Sequence, residues 1–117
     1  MTENLMLEHE KLHVYQCAMQ FFALSTQMLD HFPKGNASIS DQLKRASLSI
    51  PLNIAEGAGR FRKGEKVQFY AIARASAMEC GAILDACKIS KVVEESFIEE
   101  GKNLIVRIVS MLTKMCR

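Results

Sequence analysis

His9-Glu10-Lys11-Leu12-His13 is the stretch whose residue types and spacing come nearest to a catalytic pattern. Two histidines one turn apart on a helix would share a face, and the glutamate between them would act as general base for a zinc-bound water. A third ligand is missing: His31 would sit about five turns further along the same helix. A surface pair of histidines is the simpler reading. Cys17, Cys80, Cys87 and Cys116 form no C-x-x-C pair. Cys80 and Cys87 share a helix face, but zinc takes four ligands at tighter spacing. Set among apolar residues, the cysteines read as buried, reduced thiols. Glu56 and Glu79 are candidate acid–base carboxylates, yet Glu56 precedes Arg60 by one helical turn and reads more simply as half of an ion pair. No G-x-S-x-G, phosphate loop or G-x-G-x-x-G follows a strand pattern, and Gly57-Ala58-Gly59 reads as helix termination. The expectation is therefore a protein that is not an enzyme, with no catalytic residue, no metal and no cofactor.

Binding chemistry is better represented. Between Asp41 and Arg74 the bases Lys44, Arg45, Arg60, Arg62, Lys63, Lys66 and Arg74 face only Asp41, Glu56 and Glu65, a segment charge of +4 in a chain of net charge +2. Arg60-Phe61-Arg62-Lys63-Gly64-Glu65-Lys66, with Lys44 and Arg45 below it, is a candidate surface for RNA or DNA phosphates. For a single copy, plain solvated charge is the default reading. In a symmetric oligomer, each copy would add a basic corner, and a ring of corners would hold a phosphate backbone without reading sequence. Glu94, Glu95, Glu99 and Glu100 make another region acidic, so one end of the molecule is expected basic and the other acidic.

The elements that must position these groups are all helical. The length of 117 residues suits one domain, 1–117, with a real core. No apolar run reaches the roughly 18 residues of a membrane span. Glu3, Glu8 and Glu10 do not make a secretory start, so the expected location is cytoplasmic, away from any membrane. Helical periodicity covers about 8–32, 39–60, 65–90 and 94–116, after a loose lead-in. In the first helix Leu12, Tyr15, Met19, Phe22 and Leu29 form one stripe, and Val14, Ala18, Phe21, Ser25, Met28 and Phe32 another. Ser38 or Ser40 is the expected cap of the second helix. That helix organises the chain, because it has two apolar sides: Leu43, Ala46, Ile50, Ile54 and Ala58 on one, and Leu48, Leu52, Ala55 and Gly59 on the other. It should have neighbours on both, one within the bundle and one at a subunit interface. The apolar phase runs through Pro51, which predicts a kink rather than a break.

Phe61 is expected to plug the corner between helices two and three. The third helix is rich in Ala, Ser, Cys and Gly, and Gly81 costs about 1 kcal/mol against alanine unless another backbone packs closely there. Glu79 in this zone calls for a partner on helix two, with Asn53, Arg45 and Arg60 as candidates. Phe97, Gly101, Leu104, Ile108, Met111 and Met115 are the expected core stripe of helix four. Short connections give an antiparallel up-down-up-down four-helix bundle.

Ser49-Ile-Pro-Leu-Asn-Ile-Ala-Glu-Gly-Ala-Gly-Arg60, preceded by Gln42-Leu-Lys-Arg-Ala46, resembles the signature of the bacterial four-helix-bundle proteins encoded in 23S rRNA intervening sequences. Phe69-Tyr-x-x-Ala-x-Ala75-Ser76-x-x-Glu79, Lys11-Leu-His-Val-Tyr-Gln-x-Ala18 and His31-Phe-Pro33 extend the resemblance over most of the chain. Ala75-Ser76-Ala77 stands where the family often has a Gly-Ser pair, which keeps the position small. The resemblance implies a homopentamer of bundles without enzyme activity. It also implies kinship with the accessory variability proteins of diversity-generating retroelements, which bind a reverse transcriptase and nucleic acid. It makes Asn53, Glu56, Arg60 and Glu79 the motif positions, expected to form a polar network fixing helix two against helix three. The expected role is a non-catalytic oligomeric scaffold binding RNA through its basic surface, or else a protein adaptor such as a reverse-transcriptase accessory subunit.

Overall fold

The structure, a computed structural model, describes residues 5–117. A 3-10 turn, Glu8–Lys11, precedes four α-helices: α1 His13–Asp30, α2 Ala37–Ala58, α3 Lys63–Ser90 and α4 Glu95–Met115. Among the described residues there is no strand. Antiparallel packing follows from which residues meet. Ser49 bonds Ser76 across α2 and α3; Arg74 reaches Thr113 and Lys102 reaches Asp85 across α3 and α4; His13 meets Arg107 across α1 and α4. Each helix thus packs against the ones before and after it, and α1 closes on α4, the expected up-down-up-down bundle. The thinnest dimension, 21 Å, is that of two helix layers.

One face of α2 builds the core as expected: Leu43, Ala46, Ile50, Ile54 and Ala58 are all buried. Pro51 is buried too, and α2 passes through it as one helix. On α1 the stripe Val14, Ala18, Phe21, Ser25 and Met28 is buried, while Met19 of the other stripe is exposed and its companions lie at the rim. On α4 the core face is rotated from the expected one. Ile98, Gly101, Ile105, Ile108 and Leu112 are buried, and Phe97, Leu104, Met111 and Met115 lie at its edge. Gly101 matters because a Cβ there would lie 3.0 Å from Leu84 Cδ1.

Several local expectations change. Part of the lead-in falls outside the described residues, and Leu5, Met6 and Leu7 are exposed. The first helix is not continuous from Glu8. Leu12 is extended (φ −84°, ψ 127°) between the 3-10 turn and α1. The turn closes on itself, with the Glu10 carboxylate accepting the Leu7 N–H. The His9 ring packs edge-on against Tyr15 at 4.7 Å, a contact that folds the turn back on α1. Neither Ser38 nor Ser40 caps α2. Asn36 precedes it, and its side chain donates to the Pro33 carbonyl at 3.0 Å. Gly81 has no tight backbone neighbour, since a Cβ there would meet only Ile105 at 3.7 Å. The α3–α4 corner turns on Lys91 in the left-handed region (φ 53°), where Val92 donates back to Cys87 and is itself buried.

Candidate nucleic-acid interface

The corner between α2 and α3 is built by close approach. Gly57 lies within the last turn of α2 and is buried. A Cβ there would fall 2.7 Å from Tyr70 Cε1 and 3.1 Å from the Lys66 carbonyl. The glycine is therefore a packing requirement of α3 on α2, not a terminator; Gly59 is the residue that closes the helix. The last carbonyls of α2 have no partner within the helix. Lys66 supplies one: its ammonium donates to Gly57 O at 3.3 Å and Ala58 O at 3.0 Å. A cation at a helix C-terminus is also favoured by the helix dipole. Lys66 thus belongs to the corner's construction and is not free for a phosphate. Lys66→Ala is expected to cost about 0.5–1 kcal/mol in urea unfolding and to leave nucleic-acid affinity within about twofold, because the bonds it loses are internal.

Arg60 is also partly committed. It donates to Glu56 at 3.1 Å, the expected pair, although Arg60 lies two residues beyond the end of α2, and its guanidinium lies over the Phe69 ring at 4.7 Å. Arg62 and Lys63 are exposed. Phe61 is the largest departure from expectation. It is 98% exposed, because Tyr70 already fills the space beneath the corner against Gly57.

Lys44 and Arg45 do not join this corner. They lie about 22 Å from Arg60 along α2, at 1.5 Å per residue. Arg45 donates to Gln42 at 2.8 Å, and Lys44 borders a separate recess with Phe22, Leu29 and Leu48. The charge polarity is present: the α2–α3 corner and the exposed Glu94, Glu95, Glu99 and Glu100 occupy opposite ends of the bundle.

The expected polar network takes another form. Asn53 donates to Ser49 O at 2.8 Å and Ser49 Oγ at 3.0 Å, and Ser49 Oγ meets Ser76 Oγ at 2.8 Å. Glu79 is exposed and does not join Asn53, Glu56 or Arg60. Small residues on its own helix hold the core face, so Glu79 points away from it. The link between the helices is a chain of neutral groups, which needs no charge buried. Ser49 and Asn53 lie one turn apart in the polar stripe of α2, the signal that could have found it.

His9 and His13 do not share a helical face, because Leu12 breaks the helix between them. His13 instead accepts from Arg107 at 3.2 Å, with Cys17 Sγ at 3.7 Å. Among the described residues no three His, Cys, Asp or Glu side chains gather as for a metal ion. Cys17, Cys80 and Cys87 are buried free thiols, and Cys116 is half-buried. Burial, and secondarily the Glu79 charge, pushes the Cys80 thiol up to about 12, so it stays protonated at neutral pH.

A sequence model of the 23S rRNA-intervening sequence protein family matches residues 10–114. Among solved structures, a protein of unknown function from the S23 ribosomal protein family of Bacteroides thetaiotaomicron is similar with a TM-score of 0.82 at 18% identity, over 89% of this chain and 98% of that one. That similarity concerns the fold. No curated protein matches the chain.

Proposed function

Because this chain belongs to the 23S rRNA-intervening sequence protein family, we propose that it is a non-catalytic cytoplasmic scaffold that self-associates and binds RNA through the α2–α3 corner. The observation that carries the reading is the corner itself: Arg62 and Lys63 are exposed on a tight turn beside Arg60, at the end of the bundle remote from the acidic cluster. Such a site contacts phosphates without reading bases, so affinity comes from repeating it. Self-association is supported by the second apolar side of α2, where Leu48 and Leu52 are 41% and 55% exposed. Five copies is the number that the family resemblance implies. Among the described residues no helix is long and apolar enough to cross a membrane.

The test is binding of structured RNA and duplex DNA by the parent and by Arg60→Ala/Arg62→Ala/Lys63→Ala, with the native mass measured on the same samples. Parent affinity should fall steeply between about 50 and about 200 mM salt, and the variant should show a shallower slope and weaker binding, by roughly tenfold or more. No binding at low salt with the assembly intact would end the RNA reading.

A second reading has its own support. Met78, Gly81, Ala82, Ile105, Val106 and Val109 line an apolar groove of about 480 Å³ between α3 and α4. A groove of this kind suits a protein partner, and the kinship implied by the resemblance makes a reverse transcriptase the candidate. Co-purification with a reverse transcriptase that is lost in Val106→Glu would favour it.

A further inference from the structure

We propose that Phe61 is a stacking platform for an unpaired base, so that the α2–α3 corner prefers single-stranded to duplex nucleic acid. The proposal rests on the RNA-binding reading above and adds the kind of RNA. Phe61 is 98% exposed, between Arg60 and Arg62 and followed by Lys63. A phenyl ring fully in water gains nothing for the fold; every gain from it requires a ligand. Beside it lies a recess of about 590 Å³ lined in part by His9, Leu52, Ala55, Arg60, Phe61 and Glu65. That volume is in the range of small-ligand clefts, roughly 300–1,000 Å³.

Electrostatics narrows the ligand. Lys66 is held by the α2 carbonyls and Arg60 by Glu56 and Phe69, which leaves Arg62 and Lys63 as the corner's cations without an ion pair or side-chain hydrogen bond among the described residues. Glu56 and Glu65 lie on the recess, whereas Arg62 and Lys63 stand outside it, so the unpaired positive charge lies along the chain beside the ring and not in the recess. Within one copy so small a charge gives a duplex few phosphate contacts, and repeating the corner adds phosphate contacts to single strand and duplex alike, so the preference must come from the ring. An aromatic face beside a few cations is the combination that binds single strands, because every base has a π-face and only an unpaired base exposes it. A second copy of this chain is the rival occupant. Arg60, Arg62, Lys63 and Glu65 are its close neighbours in the chain, however, and the buried centres of protein interfaces are depleted in charge.

The chain contains no tryptophan, so Phe61→Trp introduces a single fluorophore at the platform. The experiment measures binding of a single-stranded RNA dodecamer and of its duplex by the parent, Phe61→Trp and Phe61→Leu, with native mass recorded for each. Expected are quenching of the indole by the single strand and a loss of roughly tenfold in single-strand affinity for Phe61→Leu. Duplex affinity should be unchanged. If the parent binds both forms and Phe61→Leu binds them equally well, the stacking proposal fails and the basic-corner reading stands. If the parent binds neither form at low salt, both fall. A blue-shifted indole emission without nucleic acid, accompanied by loss of native mass in Phe61→Leu, would place the ring against a second copy and overturn the proposal.

Discussion

Gly57→Ala destabilises the chain by about 1–3 kcal/mol, the range for overpacking a filled site. Propensity alone argues the opposite, since alanine is the better helix former by about 1 kcal/mol. The structure decides the sign. The new methyl would fall 2.7 Å and 2.9 Å from two Tyr70 ring carbons and 3.1 Å from the Lys66 carbonyl. The ring is buried and can yield only by opening the corner; the carbonyl is backbone of α3 and moves only with its helix. Gly59 is the internal control: a Cβ there meets nothing nearer than 3.6 Å and φ is −82°. Gly59→Ala should therefore leave stability within about 0.5 kcal/mol or raise it slightly. Urea unfolding of both variants checks the pair. Pairing Gly57→Ala with Tyr70→Leu should recover part of the loss. Equal stabilities for the two alanine variants would show that α3 does not need its close approach to α2.

Leu84→Ala is expected to cost about 2–5 kcal/mol, as for other fully buried leucines. Leu84 is 0% exposed and lies over Gly101, where a Cβ would also meet Phe21 Cε1 at 3.5 Å. The more telling result is the double variant. Gly101→Ala alone presses its methyl to 3.0 Å from Leu84 Cδ1, an atom at the end of a flexible side chain, so its own cost is small. With Leu84→Ala in place, the same methyl enters the space that Leu84 vacated. The combined loss should then be smaller than the sum of the single losses by about 0.5–3 kcal/mol, the coupling seen between residues in contact. Additive losses would mean that α3 and α4 do not meet at this glycine. Urea midpoints at unchanged slope are the readout.

These sites mark how far residue types could be read. Helix number, order and topology follow from the 3.6-residue period and the positions of Pro33, Gly35 and Gly64, because a face that must be buried repeats along the chain whatever it packs on. The core side of α2 was legible for that reason, and so was its passage through Pro51. The Glu56–Arg60 pair was legible because its partners are four residues apart at the end of α2. The resemblance to the 23S rRNA intervening-sequence proteins rests on residues 42–60 above all, and the family match over residues 10–114 agrees with it.

What failed rests on distances in three dimensions, most of them to a second element. The break at Leu12 depends on His9 finding Tyr15 and on Glu10 closing the turn, contacts that the helical period does not encode. Lys66 reads as one more phosphate contact until α2 presents it with the carbonyls of Gly57 and Ala58. Lys44 and Arg45 read as part of the corner because they share a segment with Arg60, but a helix spends 1.5 Å on every residue and carries them about 22 Å away, some two thirds of the length of α2.

By itself, then, the sequence determined that this chain makes four amphipathic helices, which residues face inward on α2, and which family it belongs to. Periodicity and local motif are properties of one strand of text, and the hydrophobic effect acts on them without regard to partner. Only the tertiary structure decided that Tyr70 fills the corner and leaves Phe61 in water, that Ser49 and Ser76 rather than Glu79 join α2 to α3, and that among the described residues Arg62 and Lys63 are the corner's unpaired cations. Space beneath a corner can be filled once, and each carbonyl or carboxylate engages the donor nearest to it. Those outcomes are settled by distances between helices.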